Sequence, residues 1–501
     1  MEVTKIQSIL PILVFAIPMA FSIPIFFARG HKALREWLAV SGLVATLIIT
    51  ILIYLNVVAA EEVRALIWNE WFYVDGLSVL MEFIVSVMGI IIVLYSIKYI
   101  AHEAHEASEG KLSLYYGLLL LFVGIMNWTC ATNSLITLYV ALELGTLATT
   151  YLVAFDWRRR SLEAGYKYLL LITVGVIFSL LGGVLLYSAA GSKGALFLNE
   201  LGKVAPQIPH TIALVCCGLF IAGFGTKAGL IPFHAWLPDA HAEAPAPISV
   251  LLSGVIINMG AYSLVRTVTI FAPLYHEVVL FMAIIGSVTM ILGILMALVQ
   301  DDLKRLLAYS SVSEMGFIVA GLGLGTYLGI YGGLFHMVNH TIMKGLLFFC
   351  SGALLYATGT RKISELSSIP KKMLITNFCF FVAALAIGGM PPFNGFMSEL
   401  ALSLALGQAG LLWAAIILIV AGFLTLVALI WAGYRIFWKK PSLKLAPTNP
   451  GRKEAKEVPA LMWGGMLFLA FLCILFGVYS QGIYPLLNSA ANGIMAILPV
   501  P

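Results

Sequence analysis

Several ionisable side chains stand inside long apolar runs of this sequence, where no neighbouring charge in the chain accounts for them. Glu143 sits in Leu-Tyr-Val-Ala-Leu-Glu-Leu-Gly, midway along the run 133–154, with no charged residue within one helical turn. An ionisable group at such a depth is costly and marks a functional position by default; the competing reading is a protonated, hydrogen-bonded structural carboxyl. Lys227 lies in Gly-Phe-Gly-Thr-Lys-Ala-Gly-Leu-Ile-Pro-Phe-His, where glycines and Pro232 interrupt a helix beside His234. Backbone groups freed at membrane depth are tolerated only where protein or a water-filled cavity satisfies them, so a lysine beside such a break points to a hydrated path. Burial and a nearby carboxylate act on an amine's proton affinity in opposite directions, so a moving partner can switch its protonation. The alternative is a lysine snorkelling from a helix end.

A second break, Gly388-Gly-Met-Pro-Pro-Phe-Asn-Gly395, precedes Glu399. Between the two breaks lies His336-Met-Val-Asn-His340-Thr-Ile-Met-Lys344, whose i, i+4, i+8 spacing puts three titratable side chains on one helical face. Two His at i, i+4 can bind zinc, but there is no Glu in an H-E-x-x-H arrangement and no third soft ligand. Imidazole titrates near neutral pH, so the stripe suits a proton wire.

Other groups carry less. Glu82 and Glu314 fit either a cation-binding role or neutral hydrogen-bonding carboxyls, and Lys167, one turn beyond Glu163, fits a surface i, i+4 pair as well as a transport role. His102-Glu-Ala-His-Glu106 reads as a solvated segment rather than a metal site. Gly321-x-Gly-x-Gly325 lacks the Rossmann spacing and reads as a turn. The six cysteines fall in apolar stretches without C-x-x-C spacing and read as small core residues, so redox chemistry is assigned to other chains.

The elements that must position these groups are membrane-spanning helices. The chain has 501 residues, is 61% hydrophobic and only 11% charged, too little polar surface for a soluble protein of this size. Each crossing of a bilayer needs roughly 20 mostly apolar residues, and such runs fall near 8–28, 38–59, 74–98, 113–130, 133–154, 163–190, 211–238, 246–270, 277–299, 304–322, 326–357, 373–398, 409–436 and 459–480. They predict an all-α polytopic membrane protein with about fourteen transmembrane helices. The tail after Gln481 is short and amphipathic and reads as interfacial. No cleavable signal pattern precedes the first run, so that segment is expected to persist.

Most of the 29 Lys and Arg lie beside odd-numbered loops, including seven between Arg435 and Lys456. By the positive-inside rule those loops are cytoplasmic and both termini face outside. The net charge of +5 is the ordinary basic excess of such loops and implies no nucleic-acid partner. The breaks Pro232-Phe-His234 and Pro392-Phe-Asn394 look like one device used twice, five spans apart; an odd separation inverts the second unit relative to the first. The chain then divides into helices 1–3 (1–112), a first inverted five-helix repeat (113–270), a second (271–440), and a loop, last helix and tail (441–501).

With these residues in view, residues 70 to 440 resemble the antiporter-like subunit family shared by NADH:quinone oxidoreductase (complex I), Mrp-type sodium/proton antiporters and membrane-bound hydrogenases. Four blocks in the family's order carry the resemblance: Pro232-Phe-His-Ala-Trp-Leu-Pro-Asp239, Asp301-Asp-Leu-Lys-Arg-Leu-Leu-Ala-Tyr-Ser-Ser-Val-Ser313, His336-x-x-x-His340-x-x-x-Lys344 and Gly389-Met-Pro-Pro-Phe-Asn-Gly395. The resemblance implies fourteen core helices with two inverted repeats, a half-channel in each and a central polar axis. It makes Glu143 the fifth-helix glutamate, Lys227 the broken-helix lysine, Lys344 the central lysine and Glu399 the distal ionisable residue. One departure stands out: where many members carry Lys or His in the eighth span, this chain has Ser253 and Asn258, which bond water but hold no charge at neutral pH. The segments Ser161–Tyr168 and Ala246–Gly254 look more like hydrogenase-associated members.

The resemblance further implies a subunit that moves protons, or exchanges them for sodium, in an electrostatic cycle. A Glu143–Lys227 ion pair, opened and closed by a neighbouring subunit, would pass a proton towards Lys344 and Glu399. It would hold no cofactor itself; iron–sulfur clusters, with NiFe or flavin, are expected in partner subunits of a redox arm, alongside antiporter-like homologues. The rival readings are an Mrp-type antiporter subunit without redox activity, a stand-alone secondary transporter, and a redox enzyme holding quinone or haem itself.

Overall fold

The computed structural model describes residues 5–60, 62–68, 70–103, 108–366, 373–439 and 456–499. Helices occupy all fourteen predicted segments. The chain runs through α1 (Leu10–Phe27), α2 (Lys32–Ala60), α3 (Gly76–Glu103), α4 (Glu109–Ala131), α5 (Leu135–Val153), α6 (Arg159–Ala190) and the short α7 (Leu201–Val204). It continues with α8 (His210–Ala228), α9 (Trp236–Glu243), α10 (Ala246–Leu251), α11 (Ile257–Thr267), α12 (His276–Leu298) and α13 (Leu303–Leu322). Then come α14 (Tyr327–Thr358), α15 (Leu374–Ile387), α16 (Asn394–Gln408), α17 (Leu412–Phe437), α18 (Ala460–Val478) and α19 (Tyr484–Ile497). By length and apolarity, 12 helical segments among the described residues are able to cross a membrane. Most of His102–Glu106 and most of the basic run after Arg435 lie outside the described residues.

Both predicted breaks are present, and they are built alike. α8 ends in a Schellman turn: Gly229 adopts φ +74°, its N–H reaches the Thr226 carbonyl and the Leu230 N–H reaches the Gly225 carbonyl. α15 ends the same way, with Gly389 at φ +65° and N–H bonds from Gly389 to Ala386 and from Met390 to Leu385. Glycine holds this left-handed position because it has no Cβ to clash. In register with one another, the Phe233 and Phe393 N–H groups then close onto Leu230 and Met390. The Trp236 indole donates to the Thr226 carbonyl at 2.8 Å, satisfying an acceptor at the broken end. A π-helical turn, Leu252–Ile256, joins α10 to α11.

The two series of helices follow the same packing order. α5 packs on α4 and α6, and α6 on α8 and α9; α13 packs on α12 and α14, and α14 on α15 and α16. α14 runs through the middle and is buried along most of its length, whereas α6 and α17 turn Tyr166, Val174, Val184, Ile416, Phe423 and Trp431 outward. Such apolar faces suit lipid or neighbouring membrane subunits.

The prediction of an all-helical chain missed one small sheet. β1 (Lys5–Ser8) pairs in parallel with β2 (Glu62–Ala65), which pairs antiparallel with β3 (Tyr73–Asp75). Strands this short, set in loops, show no apolar alternation to betray them. The sheet puts the N-terminal segment at the same end as the α2–α3 loop. Asn133 of the α4–α5 connection joins that end, donating to Glu70 and accepting from the backbone of Asn199. Arg266, near the end of the run 246–270, is fully buried in α11, where it grips both Asp75 oxygens at 2.6 Å and also donates to Tyr73 and Ser78. At the opposite end, parts of the odd-numbered loops, among them residues 158–161, 242–245 and 359–362, line a cleft of about 980 Å³. There Arg361 bridges Glu243 at 2.7 Å and Asp302 at 2.6 Å. Burial works against its charge, yet the two carboxylates hold the guanidinium above its ordinary range. α19 is amphipathic, as predicted, and packs Leu487, Ala490, Ala491 and Ile494 inward against the ends of α3 and α14.

Candidate functional site

Two buried amines are each cradled by a helix that also carries a carboxylate. Lys227, on the last turn of α8, is fully buried and donates to the Leu142 carbonyl at 2.9 Å and to Thr146 Oγ1 at 2.6 Å. Leu142 and Thr146 lie one turn apart on α5, so they present one face to the amine. Glu143, between them in sequence, turns towards α6: Thr173 Oγ1 donates to it at 2.9 Å, and its other oxygen is buried without a protein partner. The expected direct Glu143–Lys227 ion pair is therefore open in this structure: Glu143 turns to Thr173 while Lys227 donates to a hydroxyl and a carbonyl. The carboxylate still acts on the lysine charge from beyond contact distance.

The second cradle has the same parts. Lys344 on α14 donates to the Leu307 carbonyl at 3.2 Å and to Ser310 Oγ, both on α13. Glu314, one turn past Ser310 and fully buried, faces His336 Nε2 at 2.9 Å. His336 Nδ1 meets Ser398 Oγ of α16 at 3.0 Å, and Asn339 donates to the same hydroxyl and to the Asn394 carbonyl. Glu399 follows Ser398, with Oε1 buried and unpartnered. A Cβ on Gly389 would collide with its carboxylate and one on Gly422 would come within 2.9 Å, so two glycines make its room. Glu314, on the same helix as the Lys344 cradle, thus begins a chain through His336 and Ser398 to the second break, while its Oε1 is buried without a protein partner.

His336, His340 and Lys344 share α14 but make no hydrogen bonds to one another. His336 is held as above, while both ring nitrogens of the fully buried His340 lack protein partners. At the boundary between the halves, Ser253 and Ser311 share a hydrogen bond of 2.9 Å and Asn258 donates to Thr341 at 2.7 Å. The residues of the eighth span therefore form neutral links beside the π-turn. Lys167 is half-exposed and pairs with Glu163 at 2.8 Å and Asp239 at 3.4 Å, the surface arrangement its spacing allowed. His234 sits in the first break with its ring 6.2 Å from Tyr309. Glu82 is fully buried on α3 with neither oxygen partnered by protein, and takes part in neither cradle. The six cysteines are free and buried.

Sequence reasoning passed over Thr146, Ser310 and His241. The hydroxyls had one usable signal, their position within a turn or so of Glu143 and Glu314; His241 lies just past the quoted block ending at Asp239.

Comparison with known proteins now places these features. The model of the NADH:quinone oxidoreductase/Mrp antiporter transmembrane family matches residues 132–425, and that of the complex I chain 5 N-terminus matches 69–108. The chain belongs to this family. NADH-quinone oxidoreductase subunit N of Desulforudis audaxviator is 33% identical over 425 residues, 83% of each chain. A hydrogenase-4 component F homolog of Methylacidiphilum infernorum is 33% identical over 69% of this chain and 75% of its own. Na(+)/H(+) antiporter subunit A1 of Staphylococcus haemolyticus is 31% identical over 96% of this chain, which spans 61% of that longer protein. Among solved structures, one in the archaeal membrane-bound sulfane sulfur reductase aligns with a TM-score of 0.87 at 25% identity, covering 98% of this chain and 100% of its own. Within the family, this chain is an antiporter-like subunit of the kind found in complex I-related membrane complexes.

Proposed function

We propose that the chain translocates protons, as the pump subunit of a complex I-related respiratory assembly of the membrane-bound hydrogenase type. The observation that carries this reading is the repeated cradle: two buried amines, each held by a helix that also carries a carboxylate, with the second carboxylate, Glu314, running on through His336 and Ser398 to the second break. In the proposed cycle Lys227 exchanges its Thr146 and Leu142 contacts for Glu143, and the shift in charge passes a proton by way of Lys344 to Glu399. Fourteen crossings, with α4–α11 and α12–α17 as inverted repeats, fit the matching breaks and packing order. The basic cleft end would face the cytoplasm and both termini the outside. Partner subunits would supply sister antiporter-like chains and a redox arm with iron–sulfur clusters and NiFe or flavin. The match over 96% of the chain to a sodium/proton antiporter subunit supports a second reading, an Mrp-type antiporter in which sodium is exchanged.

Purification from native membranes in mild detergent, with mass spectrometry and assays of nickel, iron and flavin, separates the two. Companions carrying nickel and iron support the hydrogenase type. Flavin and iron without nickel point to an NADH-, ferredoxin- or sulfur-linked relative, and small membrane subunits without cofactors favour the antiporter. In membrane vesicles, Lys227→Ala should abolish proton uptake with assembly intact; full uptake would overturn the cycle.

A further inference from the structure

The eighth span carries the neutral Ser253 and Asn258 where many family members have Lys or His, yet a histidine outside that span lies between the cleft and the central lysine. His241 is on α9, just past the first break, with no exposed surface and with neither ring nitrogen hydrogen-bonded to protein. Its ring stacks on Phe348 of α14 with centroids 4.6 Å apart. The next four residues, Ala242 to Pro245, line the cleft, so the imidazole stands directly beneath the cleft floor. On the cleft side, α13 brings the buried Lys304, whose amine donates to the Ala244 carbonyl. On the membrane side, α14 brings His340 and Lys344. Lys344 and His340 lie one and two turns before Phe348 on the same face of that helix.

Buried polar atoms in native proteins almost always find a partner, protein or water. The four unpartnered nitrogens of His241 and His340 therefore call for ordered water. A stacked histidine placed only for packing would be expected to bond at least one nitrogen to a nearby carbonyl or hydroxyl. Ser249, close at hand, instead donates to the His241 backbone carbonyl at 3.1 Å and leaves the ring alone.

We propose that His241 relays protons between the cleft and the His340–Lys344 centre, in a chain whose eighth span offers only the neutral Ser253 and Asn258. One ring nitrogen accepts a proton from cleft water while the other releases its proton towards His340 or an uncharged Lys344, so the imidazole ends each passage neutral, and rotation of the ring restores the starting tautomer without carrying the proton back. This rests on the proton-transport reading above.

The test uses the intact complex in oriented membrane vesicles. His241→Gln, which preserves volume and polarity, should slow proton transport at least about tenfold with assembly intact. His241→Ala should do the same and be restored several-fold by imidazole added on the cleft side, but not on the opposite side. A purely structural role would not respond to a diffusible base on one face. Wild-type rates in His241→Gln, or a His241→Ala defect that imidazole leaves unchanged, would overturn the relay. Lys344→Ala in the same vesicles separates the two levels: if it too runs at full rate, the protons do not pass through this chain's central lysine and the proton-transport reading of the chain itself fails.

Discussion

The two halves of the molecule build the same cradle from different helices. In the first, the amine comes from the broken helix α8; in the second, it comes from the continuous α14, and the broken pair α15–α16 contributes Ser398 and Glu399 instead. The carboxylates differ as well. Glu143 is half-buried and holds one threonine hydroxyl, whereas Glu314 is fully buried and closed onto His336. A carbonyl and a hydroxyl about one turn apart are thus enough to lodge a buried ammonium, and the carboxylate's engagement is what sets the halves apart. Each carboxylate keeps one oxygen without a protein partner; the other is held in the first half by Thr173 and in the second by His336, which continues to Ser398.

The largest effect should come from removing either amine. Lys227→Ala and Lys344→Ala should each lower transport by at least about a hundredfold, as loss of a positioned proton carrier does, measured as acidification of vesicles. If only one does, the halves are not equivalent in function. Next come the carboxylates, read as stability in detergent by thermal unfolding. Glu314→Ala leaves His336 buried without its partner and should cost about 3 kcal/mol, whereas Glu143→Ala loses one hydroxyl contact at a half-buried site and should cost about 1 kcal/mol. Equal losses would remove the distinction between a closed and an open half.

The breaks give a finer contrast. Gly229→Ala and Gly389→Ala both place a side chain at positive φ and should each cost about 1 kcal/mol. Only Gly389→Ala should also lower transport, by roughly tenfold, because its Cβ would displace the Glu399 carboxylate, while that of Gly229 meets the movable end of Leu237. The smallest effect is expected at Lys167→Ala. Its pair is exposed, so stability should change by less than about 0.5 kcal/mol and transport should be unaltered.

Much of this was open to inspection in one dimension. Apolar run length fixed where helices form, and the Gly-Pro clusters fixed where two of them break, because both are properties of a backbone that must satisfy its own hydrogen bonds in lipid. Ionisable residues within such runs announced themselves by their cost, which is why Glu143, Lys227 and Lys344 were identifiable without a fold. The rest depends on which faces meet. Whether Glu143 pairs with Lys227 or with Thr173 turns on the rotation of α5 between α6 and α8. Glu314 is central because α14 brings His336 to it, and Lys167 is peripheral because its side of α6 faces outward. Arg266 and His241 carry no local signal that separates a loop cation or a chance histidine from a buried clasp or a relay. Local chemistry determines each helix and the expense of each buried charge; only the packing of distant helices decides which partner offsets that expense.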